Sequence, residues 1–341
     1  MNINDVAREA GVSRGSVSNY LNNRRVSDKI SLKIEAAIQK MNYVPNMAAR
    51  DLRARDSKFV IFIIPTVWTP FFSELTYHVQ SELTKKGFKM ILCISNSDFE
   101  KEKEYLSLAE SQKAAGIISV SYSDMNNHVK ANMPLVSIEK EPTGRFPLVS
   151  SDNYAGGKLA AQTLHERGSK SFVFVYSLSM TSDAMLARRS GFIDYCMQHD
   201  LPVESLALKN KNNKIELHSE LLAEFGRLKI NRNISNLGIF GISDEYAGQV
   251  LSVLAELEIE VPRQVQIIGF DGSRETVYTE PFISSIRQPI ESLAETAVSL
   301  LIKRISENSQ TENISVDRLY LPVTFQEGKT TQSRQDFLRD L

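Results

Sequence analysis

The hydrophobic positions divide the chain into a short N-terminal part with helical spacing and a longer part in which apolar runs alternate with amphipathic stretches. Apolar residues recur every three or four positions over residues 3–10, 17–21 and 30–41, which predicts three short helices. From residue 59 onward, apolar runs such as 59–64 and 237–241 predict buried strands, each followed by a helical pattern. Two successive sets of this alternation predict two lobes, each a parallel sheet with helices on both faces.

The stretch around residues 11–22 predicts the turn and second helix of a helix-turn-helix. Gly11 can take a positive φ and end the first helix, and Ser13 can accept a hydrogen bond from the next helix. Val17 and Leu21 share the face that points back at the preceding helix. The remaining face is polar and suits a DNA major groove. Together with the capping serine, its residues are Ser13, Arg14, Gly15, Ser16, Asn19 and Asn22. Helical spacing alone would equally suit a small bundle that caps a larger domain.

Charge is distributed unevenly along the chain. The formal net charge of the 341 residues is −1, yet residues 1–58 carry eleven Lys/Arg against six Asp/Glu, which leaves +5 there and −6 on the remainder. A basic N-terminal part followed by an acidic remainder is the charge distribution that the binding of DNA phosphates at one end of the chain requires. The length predicts two or three domains.

The sequence contains no constellation typical of an enzyme, a metalloprotein or a membrane protein. Its five histidines and two cysteines are scattered without ligand spacing, and no glycine-rich phosphate-binding turn follows a strand. We therefore expect neither a catalytic site nor a metal or cofactor. No apolar run approaches the ~18 residues of a membrane span. The chain starts with a helical pattern rather than a signal peptide, so we expect a cytoplasmic protein.

Several motifs give the chain a family resemblance. Near the N-terminus they are Asn4-Asp5-Val6-Ala7-Arg8-Glu9-Ala10-Gly11-Val12-Ser13 and Tyr43-Val44-Pro45-Asn46. Farther along they are Pro70-Phe71-Phe72, Ser151-Asp152-Asn153, Gly269-Phe270-Asp271 and Arg287-Gln288-Pro289. With these motifs the chain resembles the lactose/galactose repressor family of bacterial transcription regulators, over nearly its whole length to about Phe325.

The resemblance implies an N-terminal all-α helix-turn-helix DNA-binding domain, followed by an α/β effector domain of two lobes with the fold of periplasmic binding proteins. The expected boundaries are residues 1–44 for the DNA-binding domain, 45–58 for a hinge helix and linker, 59–330 for the effector-binding and dimerisation domain, and 331–341 for a C-terminal tail. Lobe 1 is expected over about 59–154 and 288–317, and lobe 2 over about 155–287 and 318–330. The chain would cross between the lobes near residues 154, 287 and 317, and a strand over 318–325 would belong to lobe 2.

The hinge is expected to fold on DNA. Pro45 ends the third helix, and the helical run over residues 47–52 is too short to be stable alone in water. In the family this hinge helix lies in the minor groove, where a leucine wedges open the central base step, and the matching position is Leu52. The other DNA contacts that the resemblance implies here are Tyr43, Asn46, Ala49, Arg50 and Arg53.

A small ligand is expected in the cleft between the lobes, outside the carboxyl ends of the strands. The residues that resemble the family's effector positions are Trp68, Phe71, Phe72, Asp152, Arg188, Ser243, Asp244, Asp271 and Gln288. Their chemistry suits a sugar, since carboxylates accept hydrogen bonds from hydroxyls, arginine donates a planar fork and an aromatic face covers a ring. Structural roles stay open for some of them: Asp244 and Asp271 as helix caps, and Trp68 in packing between the lobes.

The resemblance implies a repressor of carbohydrate-utilisation genes whose affinity for a pseudo-palindromic operator is changed by a sugar or sugar derivative. Alternatives are control by a protein partner such as a phosphocarrier protein, or activation by a corepressor. Many relatives have Asn where this chain has Ser243, and Asn-Pro where it has Thr69-Pro70, which favours an effector other than a simple hexose. The few apolar residues after Phe325 do not make two heptads, so we expect a homodimer, associated with the nucleoid when bound to DNA.

Overall fold

The computed structural model describes residues 2–21, 24–43, 58–120, 128–130, 132–140, 146–178, 182–209, 214–231, 234–274, 278–307 and 317–333. Contacts divide the chain into two units, Met1–Ser57 and Lys58–Leu341. In the part of the chain so described, no helix is both long and apolar enough to cross a membrane.

The N-terminal unit contains three helices, α1 (Ile3–Ala10), α2 (Arg14–Leu21) and α3 (Asp28–Lys40). A reciprocal capping box between Asn2 and Asp5 starts α1, and Gly11 ends it with a φ of 60°. The helices enclose a small core of Val6, Ala7, Ala10, Val17, Ile34 and Ala37. The periodicity of the sequence therefore predicts this unit correctly.

The second unit begins with a parallel αβ segment that forms most of lobe 1. Its elements are β1 (Phe59–Ile64), α4 (Pro70–Lys85), β2 (Lys89–Ile94), α5 (Phe99–Ser111), β3 (Gly116–Ser119), β4 (Leu135–Ile138) and β5 (Leu148–Ser151). The uniformly apolar sequence of β1 is explained by its position, because it lies between β2 and β3 and is covered on both faces.

Lobe 2 repeats this pattern directly after β5. Its elements are α6 (Asn153–Glu166), β6 (Ser171–Ser177), α7 (Asp183–Gln198), β7 (Val203–Leu208), α8 (Lys214–Asn231), β8 (Leu237–Gly241), α9 (Asp244–Glu256), β9 (Val265–Asp271) and β10 (Ser284–Arg287). Phenylalanines at positions 172, 174, 192, 240 and 270 fill its core in tilted and edge-on ring contacts.

The chain then returns to lobe 1 with α10 (Ile290–Ser306) and β11 (Arg318–Leu321), and ends in lobe 2 with β12 (Thr324–Gln326). The strand order is β11-β5-β4-β3-β1-β2 in the first sheet and β12-β10-β9-β8-β6-β7 in the second. All these pairs are parallel except that of β12 with β10.

The last crossing corrects the sequence prediction. The run over residues 318–325 is not one strand of lobe 2, because β11 pairs with β5 of the first sheet and only β12 joins the second. The crossing lies at Pro322-Val323 rather than near residue 317. The other two crossings lie at Asp152 and at Gln288-Pro289, and all three are neighbours, since Leu321 pairs with Ser151 and Thr324 with Arg287.

Candidate functional site

The exposed face of α2 carries the residues that the sequence predicts to read DNA. Ser13 caps the helix by accepting a hydrogen bond from Ser16 N at 3.1 Å. Val17 is fully buried, while Arg14, Gly15 and Asn19 are exposed. These three positions are thus accessible to base edges, while Val17 packs the opposite face of α2 against α1 and α3.

Other predicted DNA contacts have different surroundings. Tyr43 is half-buried and packs against the core of the N-terminal unit. Asn22, Asn46, Ala49, Arg50, Leu52 and Arg53 lie outside the described residues, as do the apolar residues of the C-terminal tail.

A cleft of about 1200 Å³ lies between the two lobes at the carboxyl ends of their strands. Most of the predicted effector residues line it: Trp68, Phe71, Phe72, Arg188, Ser243, Asp244, Asp271 and Gln288. Asp152 is the exception. Its carboxylate caps α6 by accepting a hydrogen bond from Ala155 N at 2.9 Å, so its role is structural.

Arg188 is the buried cation of the cleft floor and is 5% exposed. Its Nε donates to Asn153 Oδ1 at 2.7 Å, and its Nη1 donates to the Ile242 carbonyl at 2.9 Å. The guanidinium lies 3.6 Å from the centre of the Phe270 ring. These contacts fix the plane of the guanidinium and leave its other N–H groups for a ligand.

The position of Arg188 depends on close packing between α6 and α7. A Cβ at Gly157 would lie 1.9 Å from the Arg188 carbonyl oxygen, and one at Gly191 would lie 2.0 Å from that of Tyr154. The two helices therefore meet backbone to backbone, and glycine is required at both positions.

Asp271 ends β9 and faces Arg188, with 3.9 Å between its Oδ1 and Arg188 Nη1. Gln288 Nε2 donates to the same oxygen at 2.7 Å. Burial raises the pKa of Asp271 to about 7, although the charge of Arg188 lowers it. A buried carboxylate with spare acceptor capacity beside an arginine is suited to polar ligand groups.

Asp244 lies next to Asp271 and is held more firmly. Its carboxylate accepts hydrogen bonds from Ser285 Oγ at 2.5 Å and from Ser273 N at 2.6 Å. Burial raises its pKa to about 6, and these hydrogen bonds lower it. Because Asp244 binds a neighbouring turn and Asp271 ends a strand, the interpretation of the two as helix caps is wrong.

Two residues of the floor are missed by the sequence analysis, Glu139 and Asn153. Glu139 follows β4 with a φ of 64°; its Oε1 accepts from Ser151 N at 2.6 Å and its Oε2 from Asn153 Nδ2 at 2.9 Å. It also lies 3.7 Å from Arg188. Its position directly after a strand is the signal that could have identified it. Glu139 and Asn153 join lobe 1 to lobe 2 across the first crossing.

The three aromatic residues have different roles. Phe71 and Phe72 are 6% and 8% exposed and belong to the core of lobe 1 beneath the cleft. Trp68 is 87% exposed, which rules out packing between the lobes in this arrangement. The backbone N–H of Trp68 donates to Thr66 Oγ1 at 3.0 Å, and Trp68 is one of the residues that line the cleft.

Sequence comparison gives the family. Residues 2–46 match the bacterial regulatory proteins of the lacI family, and residues 161–331 match a periplasmic binding protein-like domain. The sucrose operon repressor of Streptococcus mutans is 30% identical over 305 residues, which span 89% of this chain and 92% of that protein. The chain belongs to the lacI family of bacterial regulatory proteins.

Other lacI-family proteins are similar over comparable lengths. The ribose operon repressor of Bacillus subtilis is 30% identical over 335 residues, which span 97% of this chain and 98% of that protein. A periplasmic binding protein/LacI transcriptional regulator from Alkaliphilus metalliredigens, solved with D-xylulofuranose, is 29% identical with a TM-score of 0.69, over 81% of this chain and 100% of that one. The lac repressor dimer bound to operator shares the fold, with a TM-score of 0.82 at 19% identity over 98% of this chain and 99% of that one.

These findings confirm the predicted family and fold class. The chain is a DNA-binding transcriptional regulator and not an enzyme.

Proposed function

We propose that this lacI-family regulator is a cytoplasmic homodimer that represses carbohydrate-utilisation genes, and that a sugar or sugar derivative in the cleft changes its operator affinity. The observation that carries the proposal is the convergence of hydrogen-bonding groups on one cleft, where Arg188, Gln288 and Glu139 are buried and Asp271 is partly buried. Alternating donors and acceptors beside an exposed tryptophan suit a polyhydroxylated ring. The operon names of the similar repressors and the sugar solved with a similar regulator support the same ligand class.

The effector can act on DNA affinity only through different affinities for two arrangements of the lobes. The cleft floor supplies that difference, because Glu139 comes from lobe 1 whereas Arg188 and Asp271 come from lobe 2. On the DNA side, Arg14 and Asn19 would read base edges and Leu52 would wedge the minor groove.

The test is an operator titration with and without sugars. Operator fragments selected from a pseudo-palindromic library would be titrated with the full chain in the presence of sucrose, ribose, xylulose and their phosphates. At least one sugar should change operator affinity about tenfold or more. Asp271→Asn should hold operator as the wild type does and should lose most of the response.

The reciprocal variant, Leu52→Ala, should bind the sugar normally and hold operator weakly. Loss of operator binding by sugar-free Asp271→Asn would contradict the proposal, because the residue would then be structural or the ligand a corepressor. If no sugar changes operator affinity but a phosphocarrier protein increases it, the alternative of control by a protein partner would be favoured.

A further inference from the structure

One ion pair joins the two lobes directly beside the cleft floor. Glu74 lies on α4 in lobe 1, and Arg287 is the last residue of β10 in lobe 2. Arg287 Nη1 donates to Glu74 Oε2 at 3.1 Å, and its Nη2 donates to Glu74 Oε1. The side chains of Glu74 and Arg287 are 33% and 24% exposed. A planar, bidentate pair in a partly desolvated place is among the stronger kinds of ion pair.

The same guanidinium holds the turn that follows Asp271. Arg287 Nη1 donates to the Gly272 carbonyl at 2.8 Å, and Arg287 is paired with Asp271 in the register of β9 and β10. Gly272 has a φ of 71°, and a Cβ there would lie 2.3 Å from Arg287 Cδ. The stem of Arg287 therefore lies directly against the turn, with room only for glycine beneath it.

Lobe 2 restrains the other side of this turn. Ser273 N donates to Asp244, and Gly272 N donates to Ser285 Oγ at 2.9 Å. Asp271 itself has a φ of 115°. A residue with a side chain keeps such a conformation only where its surroundings impose it. Arg287 adds a restraint that depends on lobe 1, because it is bonded to Glu74 as well as to Gly272.

From this geometry we propose that Arg287 is a positioning residue which, through Glu74, makes the orientation of Asp271 depend on the arrangement of the lobes. Glu74 does not line the cleft, yet its carboxylate holds Arg287 against Gly272 and so tightens sugar binding. Conversely, a sugar bound to Asp271 favours the lobe arrangement in which the ion pair is formed. The inference rests on the proposed sugar response. It identifies Glu74 and Arg287 as residues that link the arrangement of the lobes to sugar affinity.

The first test is a double-mutant cycle on sugar affinity. It compares the wild type, Glu74→Gln, Arg287→Gln and the double variant, using whichever neutral sugar of the panel, such as sucrose or ribose, binds the wild type. Each single change should lower affinity about five- to tenfold. The double variant should be within about twofold of Arg287→Gln, because Glu74 acts through Arg287. Additive losses, or no loss in Glu74→Gln, would overturn the proposal.

Ionic strength gives a readout that general damage would not reproduce. A neutral sugar has no charge to screen, so any effect of salt on its affinity must come from charges of the protein. Raising NaCl from about 0.05 M to about 0.5 M should weaken sugar binding by the wild type, since the pair is partly exposed. Glu74→Gln should bind the sugar with the same affinity at both salt concentrations, and equal salt dependence in the two proteins would refute the role of the pair.

The matched control is another ion pair between the lobes, Lys140 to Asp183 at 3.8 Å, with Asp183 53% exposed. This pair has no bond to the turn at Gly272. Asp183→Asn should keep sugar affinity within about twofold of the wild type. A loss as large as that in Glu74→Gln would show that charge between the lobes matters in general and that Arg287 has no special part.

Amide hydrogen exchange on the sugar-free full chain tests the positioning role without any ligand. The amides of Gly272 and Ser273 should exchange faster in Glu74→Gln than in the wild type, and at the wild-type rate in Asp183→Asn. Unchanged exchange in Glu74→Gln would overturn the inference. If no sugar binds the wild type, the proposed function fails by itself, and hydrogen exchange still decides the role of Arg287.

Discussion

Asp271→Asn should make the ligand-free protein more stable while it weakens sugar binding. The side chain of Asp271 is 16% exposed in the cleft floor, and its burial raises the pKa from 3.8 to about 7, with Arg188 lowering it and Asp244 raising it. Ionised Asp271 therefore costs the folded state free energy that a neutral amide of the same shape does not cost. A residue kept for binding at the expense of stability is expected at a functional site.

The magnitude follows from the pKa shift. About three pKa units at about 1.4 kcal/mol each give ~4 kcal/mol for the ionised form. Part of this is repulsion shared with Asp244, whose own pKa is about 6, so we expect a gain of ~2–4 kcal/mol in the free energy of unfolding. Because the folded pKa lies above the unfolded one, wild-type stability rises as pH falls from about 7 toward 4. The gain of the variant is therefore full above pH 7 and disappears toward pH 4.

The assay is urea unfolding of the full chain at about pH 8 and about pH 5. The control is Asp200→Asn, because Asp200 is exposed and has a φ of 54°, a conformation that asparagine also adopts readily. In this control variant, the free energy of unfolding should differ from that of the wild type by the same small amount at both pH values. A gain in Asp271→Asn that is equal at both pH values would mean relief of backbone strain at its φ of 115°. No gain at pH 8 would mean that Arg188 fully compensates the buried charge.

Three further outcomes are expected. Arg14→Ala should relax the preference at one base pair in each operator half-site, by about 1–3 kcal/mol; equal weakening on all DNA sequences would instead make Arg14 a phosphate contact. Gly157→Ala should destabilise the protein by about 2 kcal/mol or more in thermal unfolding, since its Cβ would overlap the Arg188 carbonyl, and wild-type stability would disprove the close helix contact. Sedimentation at micromolar concentration should give a dimer, and a stable tetramer lost on deletion of residues 331–341 would contradict this.

Strong periodicity made most of the fold predictable. The sequence pattern predicts helices that end at about His199 and Glu307, and α7 and α10 end one residue earlier, at Gln198 and Ser306. The strand β5 was missed because it has only four residues and directly precedes a helix start. Residues 318–326 have the sequence pattern of one continuous strand. Only their pairing partners in the structure divide them into β11 and β12.

The location of the candidate site could be predicted from the sequence, but the contacts among its residues could not. The rule that ligands lie outside the carboxyl ends of strands predicted the cleft, and the family resemblance identified Arg188, Asp271 and Gln288 in it. It also selected Asp152, whose carboxylate turns back to cap α6 instead of facing the cleft. Position along the chain does not reveal which way a side chain points after a crossing. Nor does it reveal that Glu139 and Asn153, far apart in sequence from Arg188, contact it in space.

The shortness of the three crossings limits how the lobes can move. Each has one or two residues, a span of at most about 3.6 Å per residue, and they lie side by side. The lobes therefore cannot slide apart, and rotation about an axis through the crossings is the motion left to them. Points near the axis, such as Gln288, would shift little, whereas the amino end of β1 lies about 20 Å away along its strand. This lever arm converts a rotation of about 10° into a displacement of roughly 3–4 Å at Lys58, the first residue after the N-terminal unit.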